Sequence, residues 1–492
     1  ATGKMSSSGQ RHFYLETQTT YARPAADGLV VSTSCQVFDW AQQTLSTTLK
    51  IPASKIVVEN VRVGGAYGGK AMYYAPVCVA ACVAALRTKC PVLVQIDRSS
   101  DFLSLGGRCP YEATWSTEFD ETGKITQLSQ DVLENAGYNE KGAQTATSIN
   151  CYDIPNAHLN CKNVITNTPV NCWMRAPGDF EGAIIMEASM EQVARLVDLD
   201  PVLVQEKNMA AGMQFVWRAL KDQVCYDTTL AQVKQFNAEN RYRKRGIYCM
   251  GSRYKMSPSN WKEKCWVRVH ADGSVELEHT GIEVGQGLDT KAVQACAMEF
   301  QRLAPNFSMQ DVQVVQPKST SSFTWSGITG TYGSCTSEAV VSAVLDACKK
   351  LSQELEAYRR PSWHSLVEAA CDAGLDLRQC GETSISAAAQ YDLFNAGCAQ
   401  VEIDVLTGET EVLAFDIVYD CGKSLNPAVD VGQIEGCIVQ ALGFSLLEEE
   451  TRSAVDGRMV NCGTWDYKVP SGFDIPVRLN VTLLPAGDKL AP

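Results

Sequence analysis

Between Val61 and Lys70 the chain reads Val-Arg-Val-Gly-Gly-Ala-Tyr-Gly-Gly-Lys, four glycines around one aromatic. Such a stretch neither continues a strand nor packs inside a helix. It brings main-chain amides close to something flat or anionic. Two further segments are built alike: Gly281-Ile-Glu-Val-Gly-Gln-Gly-Leu288 and Gly432-Gln-Ile-Glu-Gly436 each place Gly and Gln between a strand-like and a helix-like run. That arrangement suits polar capture of a large cofactor.

The 492 residues, 45% hydrophobic and 20% charged, allow two to four domains with a sizeable core. A net charge of -13 with no clustered Lys and Arg argues against a nucleic-acid surface. No apolar run approaches the roughly 20 residues of a spanning helix, so no membrane partner is expected. The start, Ala-Thr-Gly-Lys, has no initiator Met and no apolar signal core, and reads as an internal start without a targeting peptide. Twenty cysteines are scattered with no Cys-x-x-Cys pair. Dispersed thiols in a chain this long fit a reducing compartment, which points to the cytoplasm. Cys78 and Cys82 share one face of an apolar run, where packing explains them. His12, His158, His270, His279 and His364 have no ligand spacing, so any metal here arrives already held by something else.

Periodicity predicts helices over 37–50, 71–86, 180–197, 289–300, 338–355 and 430–447. Strands are expected at 56–58, 92–96, 111–119, 125–133, 401–404 and 410–419, with an alternating hairpin over 266–279. Residues 204–245 read as helical and connecting, with the basic cluster Arg241–Arg245 as a solvated surface. The expected fold is α+β, with two elongated lobes offering their glycine loops to one cleft. The domains would be 1–215 and 246–492, joined by 216–245.

Several chemistries compete for these loops. Gly64, Gly65, Gly68 and Gly69 do not follow Gly-x-Gly-x-x-Gly, and Lys70 precedes Ala71 rather than the Ser or Thr of a nucleotide-triphosphate loop. Both nucleotide readings are weak. Glycines that serve only as turns explain one loop but not several that also carry Gln.

Six segments carry a resemblance in order along nearly the whole chain: Gln10–Thr17, Gly64–Lys70, Arg175-Ala-Pro-Gly178, Gly281–Leu288, Ser424-Leu-Asn-Pro427 and Gly432–Gly443. Together the chain resembles the molybdenum-cofactor-binding region of the xanthine dehydrogenase and aldehyde oxidase family. The resemblance implies molybdenum carried by the dithiolene of a pyranopterin, with no protein side chain on the metal. It implies transfer of water-derived oxygen to an electrophilic carbon, with a glutamate as base. Electrons would leave through two 2Fe-2S clusters to FAD, which the family carries ahead of this region.

By position, Gln36 resembles the family's glutamine beside the apical oxo ligand. Tyr67 and Gly68 match the loop packed at the metal, and Arg175 the arginine beside the hydroxo ligand. Val284, Gly285 and Gln286 resemble the segment that grips the pterin and its phosphate, and Gln433 a further pterin contact. Thr329, Thr331 and Ser334 fall where the family binds phosphate and pterin. Each has a plainer alternative: Gln36 caps the following helix, Arg175 pairs with Glu187 or Asp179 on a surface, Tyr67 is core.

Three positions depart from xanthine-oxidising members. Ala71 stands where they carry a glutamate, Ala143 aligns with their purine-clamping arginine, and Pro177 replaces a stacking aromatic. Losing both charged groups removes the hydrogen bonds that select a purine. An aldehyde, or an N-heterocycle, is the expected substrate. The family's base glutamate would fall past Pro492, so the second domain is expected to be incomplete and the chain inactive alone. Two alternatives remain open: a noncatalytic relic that keeps the fold, and a xanthine dehydrogenase-like purine hydroxylase. Family members are usually homodimers.

Overall fold

The computed structural model describes residues 1–60, 62–140, 146, 148–258, 261–315, 317–320, 330–385 and 390–485. Val61, Ala143 and Thr329 lie outside them. The chain forms two compact units, each assembled from separated stretches. One comprises Ala1–Arg11, Phe102–Lys255 and Tyr391–Pro492; the other comprises His12–Asp101 and Met256–Gln390.

In the second of these, strands Ile56–Glu59, Gly28–Thr33, Thr19–Ala25 and Val92–Gln95 form one sheet in that order. Gly28–Thr33 and Ile56–Glu59 run parallel, so the chain must cross over between them, and it does so through the helix Phe38–Leu49. The helix Tyr74–Thr88 buries Val77, Cys78, Ala81, Cys82 and Ala85. Small residues at this i, i+4, i+8 spacing let the helix lie close on the strand Thr19–Ala25, and Cys78 and Cys82 are packing residues, as their spacing predicts. A second sheet has the order Val312–Val314, Val275–His279, Lys264–Val269, Arg378–Glu382, again with a parallel pair bridged by a helix, Leu288–Phe300. Both glycine loops of this unit follow the carboxyl end of a strand and precede a helix. In α/β topology ligands bind at that end, because backbone amides are left unpaired there.

In the other unit, strands Thr2–Ser7, Tyr111–Phe119, Ile125–Gly137 and Asn156–Ile165 form a sheet. The helix Asp179–Leu196 packs into the same core by burying Ile185, Met186, Met190 and Val193. Each such side chain contributes about 1.5–3 kcal/mol relative to exposure. The second sheet there joins Arg478–Leu483, Thr410–Asp420, Tyr391–Asp404 and Arg243–Met256. The helix Pro427–Leu446 packs Ile434, Ile438 and Leu442 against Val412 and Ile417.

The helix Asp179–Leu196 stops short of Asp200, whose carboxylate accepts from Val202 N–H while Pro201 opens the next helix, Pro201–Asn208. One expectation is corrected. The basic cluster is not merely solvated. Arg243 and Arg245 begin a long strand and both close on Glu402, at 3.0 and 2.8 Å. Their charges hid a strand whose burial comes from the neighbouring strand Tyr391–Asp404. Among the described residues no helix is long and apolar enough to cross a membrane.

Candidate cofactor site

Gln36 is 3% exposed and joins three loops of its unit. Its backbone N–H donates to Lys70 O at 3.0 Å, and its carbonyl accepts from Thr331 N–H at 2.9 Å. Its side-chain Nε2 donates to Thr331 O at 2.7 Å, while its Oε1 is buried with no hydrogen-bond partner among the described residues. Gln36 does not cap the helix that follows, because Val37 holds the N-cap position with no side-chain bond. Thr331 extends the link: its Oγ1 accepts from Ile282 N–H at 2.8 Å and donates to Ile282 O at 2.7 Å. Val63 N–H donates to Glu283 O at 2.9 Å, which ties the first glycine loop to the second.

Gly330 is where this junction is tightest. Its φ is +106°, and a Cβ there would stand 2.8 Å from Gln36 O. Only glycine meets both conditions without strain. Its N–H donates to Glu263 Oε1 at 3.2 Å, and Thr280 Oγ1 donates to the other oxygen of that carboxyl. Burial pushes the Glu263 carboxyl up to about 8, against the opposing pull of Thr280 and Gly330.

In the first glycine loop Tyr67 has φ +53° and Gly68 φ +107°, and the Tyr67 side chain is exposed rather than part of the core. Lys70 points inward, fully buried, to a 2.8 Å ion pair with Glu16. Ala71 is buried in the short turn before the helix Tyr74–Thr88. In the second loop Gln286 serves its own backbone, with Oε1 accepting from Val284 N–H at 2.7 Å and Nε2 donating to Ile282 O at 3.0 Å. Glu283 does likewise, accepting from Gly285, Gly287 and Asp289 N–H. Gly285, at φ +101°, has open space where a side chain would be. Ser334 is exposed in the left-handed region, φ +61°.

In the other unit, Arg175 and Gln433 are brought together. Arg175 Nη2 donates to Gln433 O at 2.6 Å, and Nη1 to Gln440 Oε1 at 3.2 Å. Neither Asp179 nor Glu187 takes this guanidinium. Glu187 is buried, accepting from Tyr152, Tyr248 and Gln205. The Arg175–Gly178 turn is held from below by a buried ion pair, Arg108 Nη1 to Glu181 Oε1 at 2.8 Å. Arg108 Nη2 donates to Arg175 O at 3.0 Å, and Glu181 Oε2 accepts from Gly178 N–H at 2.8 Å. Pro177 is half-buried in that turn.

Sequence reasoning missed Glu16, Arg108, Glu181, Glu263, Glu283 and Gln440. Gln440, two helical turns beyond Gln433 on the same helix face, had a local signal, as did Glu283 and Glu181, which bond backbone within six residues of themselves.

Among the described residues no three His, Cys, Asp or Glu side chains come together to hold a metal. What these loops offer instead is a buried amide oxygen at Gln36 with no partner among the described residues, an uncrowded glycine at 285 and an exposed ring at Tyr67. A flat, polar group that brings its own metal ligands fits that set: it would supply a donor for the orphaned oxygen and a face for the ring.

Two family models described as molybdopterin cofactor-binding domain match residues 1–209 and 219–476. The chain belongs to the molybdopterin cofactor-binding domain family. Members of this family with similar sequences include an indole-3-acetaldehyde oxidase of Arabidopsis thaliana, 35% identical over 98% of this chain and 38% of that protein. A probable aldehyde oxidase 2 of Oryza sativa subsp. japonica has the same identity and coverage. The chain thus spans about two fifths of the length of these relatives. Among solved structures, quinoline 2-oxidoreductase from Pseudomonas putida 86 superposes with a TM-score of 0.87 at 20% identity, covering all of this chain and 70% of that one. An aldehyde oxidoreductase from Desulfovibrio gigas gives 0.85 at 18% identity, covering all of this chain and 56% of that one. These two establish the shared α+β fold.

Proposed function

We propose that this chain is the molybdopterin-holding region of a longer, aldehyde oxidase-like molybdenum oxidoreductase that converts aldehydes, or N-heterocycles, to carboxylic acids or hydroxylated products. The observation that carries this reading is 35% identity to plant aldehyde oxidases across 98% of the chain. When bound, the molybdenum–pterin group supplies the two-electron oxidation and oxygen-transfer chemistry.

The protein's own residues do the holding. Gln36 presents its amide toward the group, Tyr67 and Gly68 pack main chain against it, and Val284, Gly285 and Gln286 with Thr331 and Ser334 supply amides and hydroxyls. Arg175, braced by Gln433, contributes a fixed positive charge where negative charge develops. By sequence, Ala71 and Ala143 stand where a purine would require charged groups, and Pro177 where it would stack on a ring, which favours an aldehyde. The base, the two 2Fe-2S clusters and FAD belong to other parts of the full-length enzyme, which acts as a cytoplasmic homodimer without nucleic-acid or membrane partners.

Metal and pterin analysis of the purified full-length protein tests the reading, together with turnover of an aromatic aldehyde and of xanthine. Stoichiometric molybdenum and pterin with aldehyde turnover is expected. A protein that takes up neither in a host that makes the cofactor overturns the reading, and preference for xanthine overturns the substrate assignment.

A further inference from the structure

One carboxylate oxygen closes the first glycine loop. Glu16 Oε2 accepts from Gly64 N–H at 2.7 Å and from Lys70 Nζ at 2.8 Å, and Glu16 N–H donates to Gly64 O at 3.2 Å. Gly64 and Lys70 are the two ends of the loop, so this single atom turns it into a ring. The loop does not favour its shape unaided, because Gly65, Tyr67 and Gly68 all have positive φ and Tyr67 pays for a Cβ in the left-handed region. Something outside it must hold it. Lys70 is fully buried, its ammonium 4.9 Å above the Tyr14 ring, and burial lowers its pKa while Glu16 opposes that shift. A desolvated ammonium in this place needs its carboxylate. The Lys70 carbonyl in turn accepts from Gln36 N–H at 3.0 Å.

The Gly-Gly-Lys sequence that looks like an anion loop therefore spends its cation internally. We propose that Glu16 is a positioning residue: its Oε2 fixes the Gly64–Lys70 loop, and through Lys70 the Gln36 backbone, in the shape that receives the pterin-held metal, without touching that group. The proposal rests on the cofactor reading above.

The test uses the full-length protein made in a host that produces molybdopterin, as wild type, Glu16→Gln, and Glu16→Gln combined with Lys70→Met. Four quantities are read: thermal midpoint, amide exchange across Gly64–Lys70 in cofactor-free protein, pterin per polypeptide, and kcat with KM for an aldehyde. Glu16→Gln alone strands a buried charge and is expected to lower the midpoint. The double variant removes that charge and is expected to recover the midpoint. Yet its loop amides exchange about tenfold faster, pterin content stays well below wild type, and kcat falls with KM unchanged. Recovery of exchange protection, pterin and kcat along with the midpoint would overturn the proposal, leaving the ion pair a structural one. A wild-type protein that takes up no pterin in that host would instead sink the cofactor reading, and with it the assigned role of the clamp.

Discussion

Arg175 Nη2 meets the carbonyl oxygen of Gln433 at 2.6 Å, across 258 positions of sequence. The arginine of a tight turn is thereby fixed against the first turns of the helix Pro427–Leu446, and its second nitrogen reaches Gln440 on the next turns. A guanidinium held by two partners has little rotamer freedom left to lose when it meets a ligand, which is the physical meaning of preorganisation here.

Replacing Arg175 by Lys keeps a charge but cannot bridge Gln433 and Gln440 together. The expected loss in kcat/KM toward an aldehyde is about 2–3 kcal/mol, near a hundredfold, with the thermal midpoint close to wild type. Steady-state kinetics beside a thermal melt checks it.

The Arg108–Glu181 pair is a different case, because both partners are nearly inaccessible, at 4% and 0% exposure. Glu181→Gln leaves the guanidinium without its counter-charge and is expected to destabilise the unit by about 3–5 kcal/mol. Replacing both by apolar residues of similar size costs less than the single change. Urea unfolding of the three proteins decides, and a single variant as stable as wild type would refute the claim.

Glu263 links stability to pH. Its folded pKa, about 8, lies above the carboxylate's ordinary value of 4.5, with burial as the main cause and Asp39 adding to it. The folded state then binds the extra proton between those values. The stabilisation is complete below about pH 4.5 and disappears as pH rises through 8, with a slope of about 1.4 kcal/mol per pH unit for one proton. Tyr332, whose own pKa burial pushes up to about 12 with Glu263 adding to it, stays neutral throughout that window. Chemical unfolding at several pH values from 5 to 9 should show Glu263→Gln losing this dependence relative to wild type.

Gly330→Ala introduces a Cβ at positive φ and 2.8 Å from Gln36 O. About 1–3 kcal/mol of strain is expected, relieved by movement of the Thr331 backbone that Gln36 Nε2 binds. Pterin content of the full-length protein should fall together with stability, measured by fluorescence of the released pterin and by a thermal melt.

Much of the local structure was legible in the sequence. The helices Phe38–Leu49, Asp179–Leu196, Leu288–Phe300 and Thr336–Leu355 fall within a few residues of their apolar periodicity, as does the hairpin of Tyr111–Phe119 and Ile125–Gly137. The strands Thr19–Ala25, Asn156–Ile165 and Arg243–Met256 escaped notice because their polar and charged residues give no clean alternation. For Arg243–Met256 the burial is supplied by a neighbour far along the chain, Tyr391–Asp404.

Sequence by itself determined which loops are glycine-rich, which elements flank them and which family they resemble, since these depend on residues a few positions apart. Tertiary structure alone decided that each compact unit is woven from separate stretches. It alone decided that Glu16 meets Gly64 and Lys70 across 48 and 54 positions, and that Gln36 meets Thr331 across 295. A hydrogen bond depends on where topology carries its two ends, and no local period records that.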